Sequence, residues 1–238
     1  MHLMTPRLGI AKPGWIYFVP LLLAAALLVG IGLWWAAILP GIAGLYTIYF
    51  FRDPERRVPG IPHSICSPAD GRVASVVEVP CDRMPSGRAR RVAVFLNVFN
   101  VHVQRAPIGG TVVAVERRPG RYMNALNEKC SEENEAVTIW LETDMGIVGV
   151  RQIAGAIARR IVCAAKVGDR LERGDRYGLI QFGSRVEVFL PTDSTVKVQP
   201  GQKVSSGVSC LAVLFEEEVK RGYSREAVAR IAVGVGPE

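Results

Sequence analysis

Tyr177-Gly178-Leu179-Ile180-Gln181-Phe182-Gly183-Ser184-Arg185-Val186-Glu187-Val188-Phe189-Leu190-Pro191 reads as two short apolar runs joined by a Gly-Ser step. The first run ends at Phe182. In the second, Val186, Val188 and Leu190 recur at the two-residue spacing of a strand with one buried face. Glycine at the joint can take backbone angles that would cost another residue roughly 1–3 kcal/mol. The Ser184 hydroxyl then comes within reach of the Gly183 carbonyl. Taken alone, Gly-Ser between strands is a turn or a bulge.

The same texture extends in both directions. From Ile65 onward, short Val, Ile and Phe runs are punctuated by Gly, Pro and Asp. They predict strands at 72–79, 91–96, 101–104, 110–117, 136–142, 147–153, 159–164, 177–182, 185–190, 195–198 and 209–215. The acidic cluster at 132–135 reads as a solvated loop. Gly168-x-x-Leu171-x-x-Gly174 recurs 33 positions on as Gly201-x-x-Val204-x-x-Gly207, each copy leading into an apolar strand. Such paired turns are similar to those of biotinyl and lipoyl carrier domains. That likeness implies a mainly β fold, a flattened β sandwich of two related halves. It does not imply carrier function, because no lysine sits in a Met-Lys-type hairpin between the halves.

At 238 residues the chain has room for one packed domain and an appendage. Its net charge of +7 suits an anionic partner, either an acidic membrane surface or a phosphorylated substrate. Nucleic acid is disfavoured, since the basic residues are scattered and no binding motif accompanies them. Cys66, Cys81, Cys130, Cys163 and Cys210 are odd in number and form no C-x-x-C pair. That argues against a disulfide framework and a zinc site, and suits a reducing cytoplasm.

Residues 14–51 carry no charge, with Arg7 and Lys12 before them and Arg52, Arg56 and Arg57 after. About 20 apolar residues span a bilayer, so the run is too long for one comfortable span and just short of two. Gly30, Gly32, Pro40 and Gly41 offer turning points, and the Trp and Tyr residues suit interfacial belts. Basic flanks on both sides favour a hairpin with both ends cytoplasmic, a single tilted span being the alternative. The run is too long for a cleaved signal peptide. The expected organisation is a membrane anchor at 1–51, an exposed linker at 52–64, a domain at 65–215 and a tail at 216–238 with a short helix at 224–231.

Around the Gly-Ser step stand further stretches. They are Ser67-Pro68-Ala69-Asp70-Gly71-Arg72-Val73, then Phe95-Leu96-Asn97 leading into Asn100-Val101-His102-Val103-Gln104-Arg105-Ala106-Pro107. Asn134-Glu135 follows, then Gln152-Ile153-Ala154-Gly155 with Ala158-Arg159-Arg160-Ile161. In this order, from about residue 51 to 215, the chain resembles short-form phosphatidylserine decarboxylases. The resemblance implies a proenzyme that cuts itself between Gly183 and Ser184, with Ser184 converted to a covalent pyruvoyl cofactor. It further implies two fragments held together as a heterodimer, and phosphatidylserine in an anionic membrane as substrate. The expected place is the cell membrane, with the domain on the cytoplasmic side; self-association is left open.

Loss of CO2 from an α-amino acid leaves electrons that no side chain can delocalise. Pyridoxal phosphate would need a Schiff-base lysine and a phosphate cup, and none of the few lysines lies in such a context. A ketone made from Ser184 can serve instead. In the family's maturation, Ser184 Oγ would displace the peptide nitrogen from the Gly183 carbonyl carbon, giving an ester. Elimination then breaks the Cβ–Oγ bond, freeing the upstream chain as a carboxylate and leaving dehydroalanine, which water hydrolyses with loss of ammonia.

A serine hydroxyl is a weak nucleophile without a base, and the candidates are His102 and Asp70. A lone histidine on a strand is ordinarily a hydrogen-bonded surface residue. The motif assigns His102 acid/base work, reprotonating the α carbon after CO2 leaves. Pro68-Ala69-Asp70-Gly71 alone is a turn signal; longer-form relatives use this aspartate with a histidine to activate the serine. Their second histidine is replaced here by Arg105. Arg185, next to the serine, reads either as a solvated strand residue or as a partner for the substrate phosphate or carboxylate, and Arg159-Arg160 are weaker candidates for that task. The rival functions are a membrane-anchored serine hydrolase using Ser184, His102 and Asp70, against which no G-x-S-x-G elbow is present, and a non-catalytic lipoyl-like module.

Overall fold

Alternating apolar residues in β2 (Gly71–Pro80), β3 (Arg88–Leu96), β5 (Gly110–Arg118), β6 (Ala136–Thr143), β7 (Gly146–Ala154) and β11 (Ser184–Leu190) build the main sheet. The two-residue strands β9 (Arg170–Leu171) and β13 (Lys203–Val204) edge it, giving the order β13-β2-β3-β11-β7-β6-β5-β9. Two three-stranded sheets complete the β structure. One is β4 (Val103–Arg105), β10 (Arg176–Gln181) and β8 (Arg160–Cys163); the other is β1 (Ser64–Cys66), β14 (Cys210–Val213) and β12 (Thr195–Val196). The computed structural model describes residues 9–60, 63–156, 160–181 and 183–214. The tail and its expected helix at 224–231 lie outside them. Each of the eleven expected strands is matched by a strand within a few residues, and β1, β9 and β13 are additional.

The large sheet is palindromic. Its centre is the β11–β7 ladder, where Val188 faces Val150. Outward on either side come β3 and β6, then β2 and β5, then the short edges. The β2–β3 pairing slips between Val73 and Ser75, and the β5–β6 pairing slips at the matching place, between Val112 and Ala114. The four repeat glycines occupy equivalent turns: Gly168 and Gly201 donate to Val112 and Val73, and Gly174 and Gly207 to Ala106 and Ser67, each at 2.8 Å. All four have φ between +71° and +93°, a region where a side chain is strained, so glycine is required there.

Strand alternation sends Val186, Val188 and Leu190 of β11, with Val148, Val150 and Ala154 of β7, to the inner face. There they join Val92, Val94, Ile139 and Leu141 in the main core. The other face carries a second cluster around Trp140, Ile147 and Phe189.

The apolar N-terminal run forms α1 (Lys12–Gly30) and α2 (Ile38–Phe50), packed side by side. At 1.5 Å per residue α1 is about 28 Å long and α2 about 20 Å, so α1 alone has the length and composition to cross a membrane. Most large apolar side chains of the pair face outward, including Leu22, Leu23, Leu27, Ile42 and Leu45. The base of the pair does the opposite: Ala11, Phe50 and Phe51 are buried against Val101, Val103 and Leu179 of the β domain.

The polar segment expected as an exposed linker is tied down from its start. Asp53 is 2% exposed and accepts from Arg105 at 2.9 Å and Arg176 at 2.6 Å. Arg105 also donates to the Pro54 and Gly174 carbonyls, and Arg173 to the Pro59 carbonyl. Charges taken out of water need such pairing, and that need overrides the linker-like composition. Removing one member of a buried pair costs about 3–5 kcal/mol. Asp53→Ala should therefore lower unfolding stability by about that amount, measured by urea denaturation in detergent; a change under about 1 kcal/mol would show that the cluster is not dry.

Candidate functional site

β10 lies in a small sheet and β11 in the large one, so the chain must change sheets between Gln181 and Ser184. Gly183 makes that step with φ +71°. Ser184 opens β11, facing Leu96 of β3 and Ala154 of β7. Its side chain is buried and its Oγ has no hydrogen-bond partner among the described residues. An unpaired buried hydroxyl costs about 1–3 kcal/mol and calls for a functional explanation.

The neighbouring backbone is closely packed. A Cβ on Gly155 would stand 2.6 Å from the Gly183 carbonyl oxygen, so only glycine leaves that oxygen in place. Asn134, expected in a solvated loop, is instead fully buried. Its amide donates to the Met123 and Ala154 carbonyls, which fastens the segment before α3 (Cys130–Glu133) to the end of β7.

His102 immediately precedes β4 and is fully buried, not on an open polar face. Its Nδ1 lies 2.9 Å from the Asn100 carbonyl, and its Nε2 faces the Gly183 N–H at 3.3 Å. A carbonyl only accepts and an N–H only donates, so the ring is neutral with its proton on Nδ1. Burial pushes the imidazole down to about 4, the Asn100 carbonyl opposing the shift and the Arg52 cation adding to it. Beneath it runs an amide chain: Gln104 Nε2 donates to the His102 carbonyl, and Gln152 Nε2 donates to Gln104 Oε1.

The other expected residues lie apart. Asp70 accepts from Arg56 at 2.9 Å and from the Ser206 N–H at 2.7 Å. Among the described residues no hydrogen bond or ion pair joins it to Ser184 or His102. Arg185 follows Ser184 on a strand, so its side chain leaves the opposite face. There it is fully buried, donating to Glu187 at 3.0 Å and to both oxygens of Glu128. A guanidinium so held is not presented to a ligand at Ser184. Arg105 is committed to Asp53. Arg160 is exposed at the start of β8, in register with Gln181, while Arg159 and Phe182 lie outside the described residues. Of the residues that shape the site, Asn134, Gln152 and Gly155 stood in quoted motifs without a role, and Phe50 carried no signal at all.

A family model described as phosphatidylserine decarboxylase matches residues 44–212. The chain is 45% identical over 214 residues to the phosphatidylserine decarboxylase proenzyme of Cupriavidus pinatubonensis, covering 89% of this chain and 98% of the relative. It is 47% identical over 208 residues to that of Symbiobacterium thermophilum, covering 86% and 95%. With that of Burkholderia vietnamiensis it shares 42% over 210 residues, covering 88% and 98%.

Between pH 6.5 and about 4 the unfolded chain takes up a proton at His102 that the folded chain refuses. This contribution to stability is therefore present above pH 6.5 and lost as pH falls towards 4. At about 1.4 kcal/mol per pH unit it amounts to roughly 3 kcal/mol. His102→Gln should flatten the pH dependence of unfolding in this window, measured by urea denaturation. Equal slopes in the two proteins would rule out a buried neutral histidine.

Proposed function

This chain belongs to the phosphatidylserine decarboxylase family, and we propose that Ser184 and His102 carry that family's reaction in it. The reaction converts phosphatidylserine to phosphatidylethanolamine and CO2. The observation that carries the assignment is the strand joint itself: an unpaired buried Ser184 Oγ beside a glycine at φ +71°, whose N–H meets His102 Nε2.

The residues present fit a pyruvoyl group made from Ser184. The serine is buried, its Oγ is committed to no other bond, and the residue before it has no side chain. Once formed, that group supplies the electron sink which side chains lack. In the uncut chain the His102 lone pair is engaged by the Gly183 N–H. We therefore assign His102 to turnover more than to activation of Ser184. After cleavage Gly183 ends the upstream fragment and its N–H is free to leave Nε2; Nε2 would then take up a proton from water and pass it to the α carbon from which CO2 has left. Asp70 is assigned a supporting part, bracing the turn before β2 through Arg56 and Ser206.

The serine hydrolase alternative is not supported. The relatives are decarboxylase proenzymes, Ser184 opens a strand, and Asp70 does not touch His102. Two fragments, 1–183 and 184–238, would stay together as a heterodimer: β11 of the smaller lies between β3 and β7 of the larger, and β14 pairs with β1. The apolar helix pair supports attachment to the cell membrane, and the basic residues flanking it support a cytoplasmic domain. The palindromic sheet and its matched glycine turns support a biotinyl/lipoyl-like duplication.

Denaturing mass analysis should find two fragments, the smaller blocked at its N-terminus, and a single uncut chain for Ser184→Ala. Cutting at the same bond in that variant would sink the mechanism. His102→Ala should mature yet lose 10²- to 10⁴-fold in CO2 release, as is typical of a positioned acid/base; normal turnover would leave this histidine without a catalytic part. Gly155→Ala, whose methyl would displace the Gly183 carbonyl, should slow the appearance of fragments in a pulse-chase, and unchanged kinetics would show that the carbonyl's position does not limit cleavage.

A further inference from the structure

An aromatic column joins the helix pair to His102. Tyr17 of α1 stacks on Phe51 with ring centroids 5.7 Å apart, and Phe51 meets Phe50 edge-on at 4.9 Å. Phe50, the last residue of α2, stacks on the His102 imidazole at 4.3 Å with the planes 29° apart. Phe50, Phe51 and His102 are each 0–1% exposed. The column is pinned at its far end too, because the Tyr17 hydroxyl donates to Gln181 Oε1 at 3.1 Å, two residues before Gly183. Further bonds hold the helix base to the loop ahead of His102: Tyr49 and Arg52 both donate to the Phe99 carbonyl, and Tyr46 donates to that of Val98.

We propose that Phe50 is a positioning residue for His102, and that the helix pair is thereby a wall of the catalytic centre as well as an anchor. The inference rests on the assignment of His102 to turnover. Stacking sets the plane of the imidazole, and that plane must be right for Nδ1–H to meet Asn100 while Nε2 meets the strand joint. The same ring keeps water from the imidazole face, which is what holds the histidine neutral. Among the groups around it, Arg52 beyond α2 is the charge that acts on it. Gln104 and Ile180 from β4 and β10, and Gly183 from the joint, are uncharged. Removing the Phe50 ring should therefore admit water and raise the histidine towards its ordinary value, and among the described residues no carboxylate acts on it to change the direction.

The test uses the full chain in detergent or in phosphatidylserine-containing vesicles, with Phe50→Leu, Phe50→Tyr and His102→Ala. Phe50→Leu should still yield both fragments and keep its KM. Its kcat should fall roughly 10- to 100-fold, the scale of a misplaced catalytic group, and the basic limb of its pH profile, where His102 loses the proton it delivers, should move up by about one pH unit or more. Phe50→Tyr, which keeps the ring, should restore most of the rate. For a readout that does not depend on maturation, the imidazole of His102 can be titrated by NMR in the uncut Ser184→Ala chain. There are only three histidines, His2, His63 and His102, and the His102 signal is the one missing in His102→Ala. An upward shift in Phe50→Leu supports the proposal; an unchanged titration, or an unchanged kcat and pH profile, overturns it. If His102→Ala itself decarboxylates at the normal rate, the assignment of His102 fails instead, whatever Phe50 does.

Discussion

Strand β11 is hydrogen-bonded along its length to β3 on one side and to β7 on the other, and the position of every reacting group depends on that double ladder. A strand paired on both sides cannot slip by one residue without turning its apolar face outward. Val186, Val188 and Leu190 are committed to the main core, so the register is held by the hydrophobic effect and by the two sets of backbone bonds together. Ser184 is the first residue of this strand, so the residue proposed to react is carried by a strand paired on both sides. The bending falls to Gly183, at the change of sheets, where no side chain opposes it.

Two ionic clusters brace the β domain, one on the large sheet and one on the small sheet that contains β4 and β10. On the outer face Arg185 and Glu187 of β11 meet Glu128, Arg91 and Arg151, tying the segment before α3 to the strand. On the small sheet Asp53 meets Arg105 and Arg176, tying the chain that leaves α2 to β4 and β10. Burying such charges gives little net stability, and its effect is to specify one arrangement. Both clusters fasten connecting segments to strands: the first holds the segment before α3 against β11, and the second holds the chain leaving α2 against β4 and β10.

The helix pair is the third constraint. Its outer surface is apolar and exposed, while its base is as dry as the core of the domain. An apolar helix pair, one member of which has the length to cross a membrane, is thus continuous with the packing around His102.

Much of the architecture was legible in the sequence because it is local. Two-residue alternation marks strands, glycines at a repeated spacing mark turns that only glycine tolerates, and an uncharged run marks the helix pair. The opposite placement of Ser184 and Arg185 was legible as well, since adjacent strand residues point to opposite faces. A basic neighbour beside a nucleophile drew the reading towards substrate binding all the same. What composition could not show were contacts between residues far apart in the chain. The Pro-rich polar segment after residue 51 has the composition of a linker, and only the arrival of Arg105 and Arg176, 52 and 123 positions away from Asp53, buries Asp53 and pins the start of the segment to the domain. His102 and Gly183 are 81 positions apart, and Phe50 is an ordinary apolar residue at the end of an apolar run. Local propensity and periodicity determined the strands, the turns and the Gly-Ser joint between two strands, while the ordered motifs carried the family resemblance; the pairing of distant segments decided which side chains share a dry site, because burial depends on what the rest of the chain places over a residue and not on the residue itself.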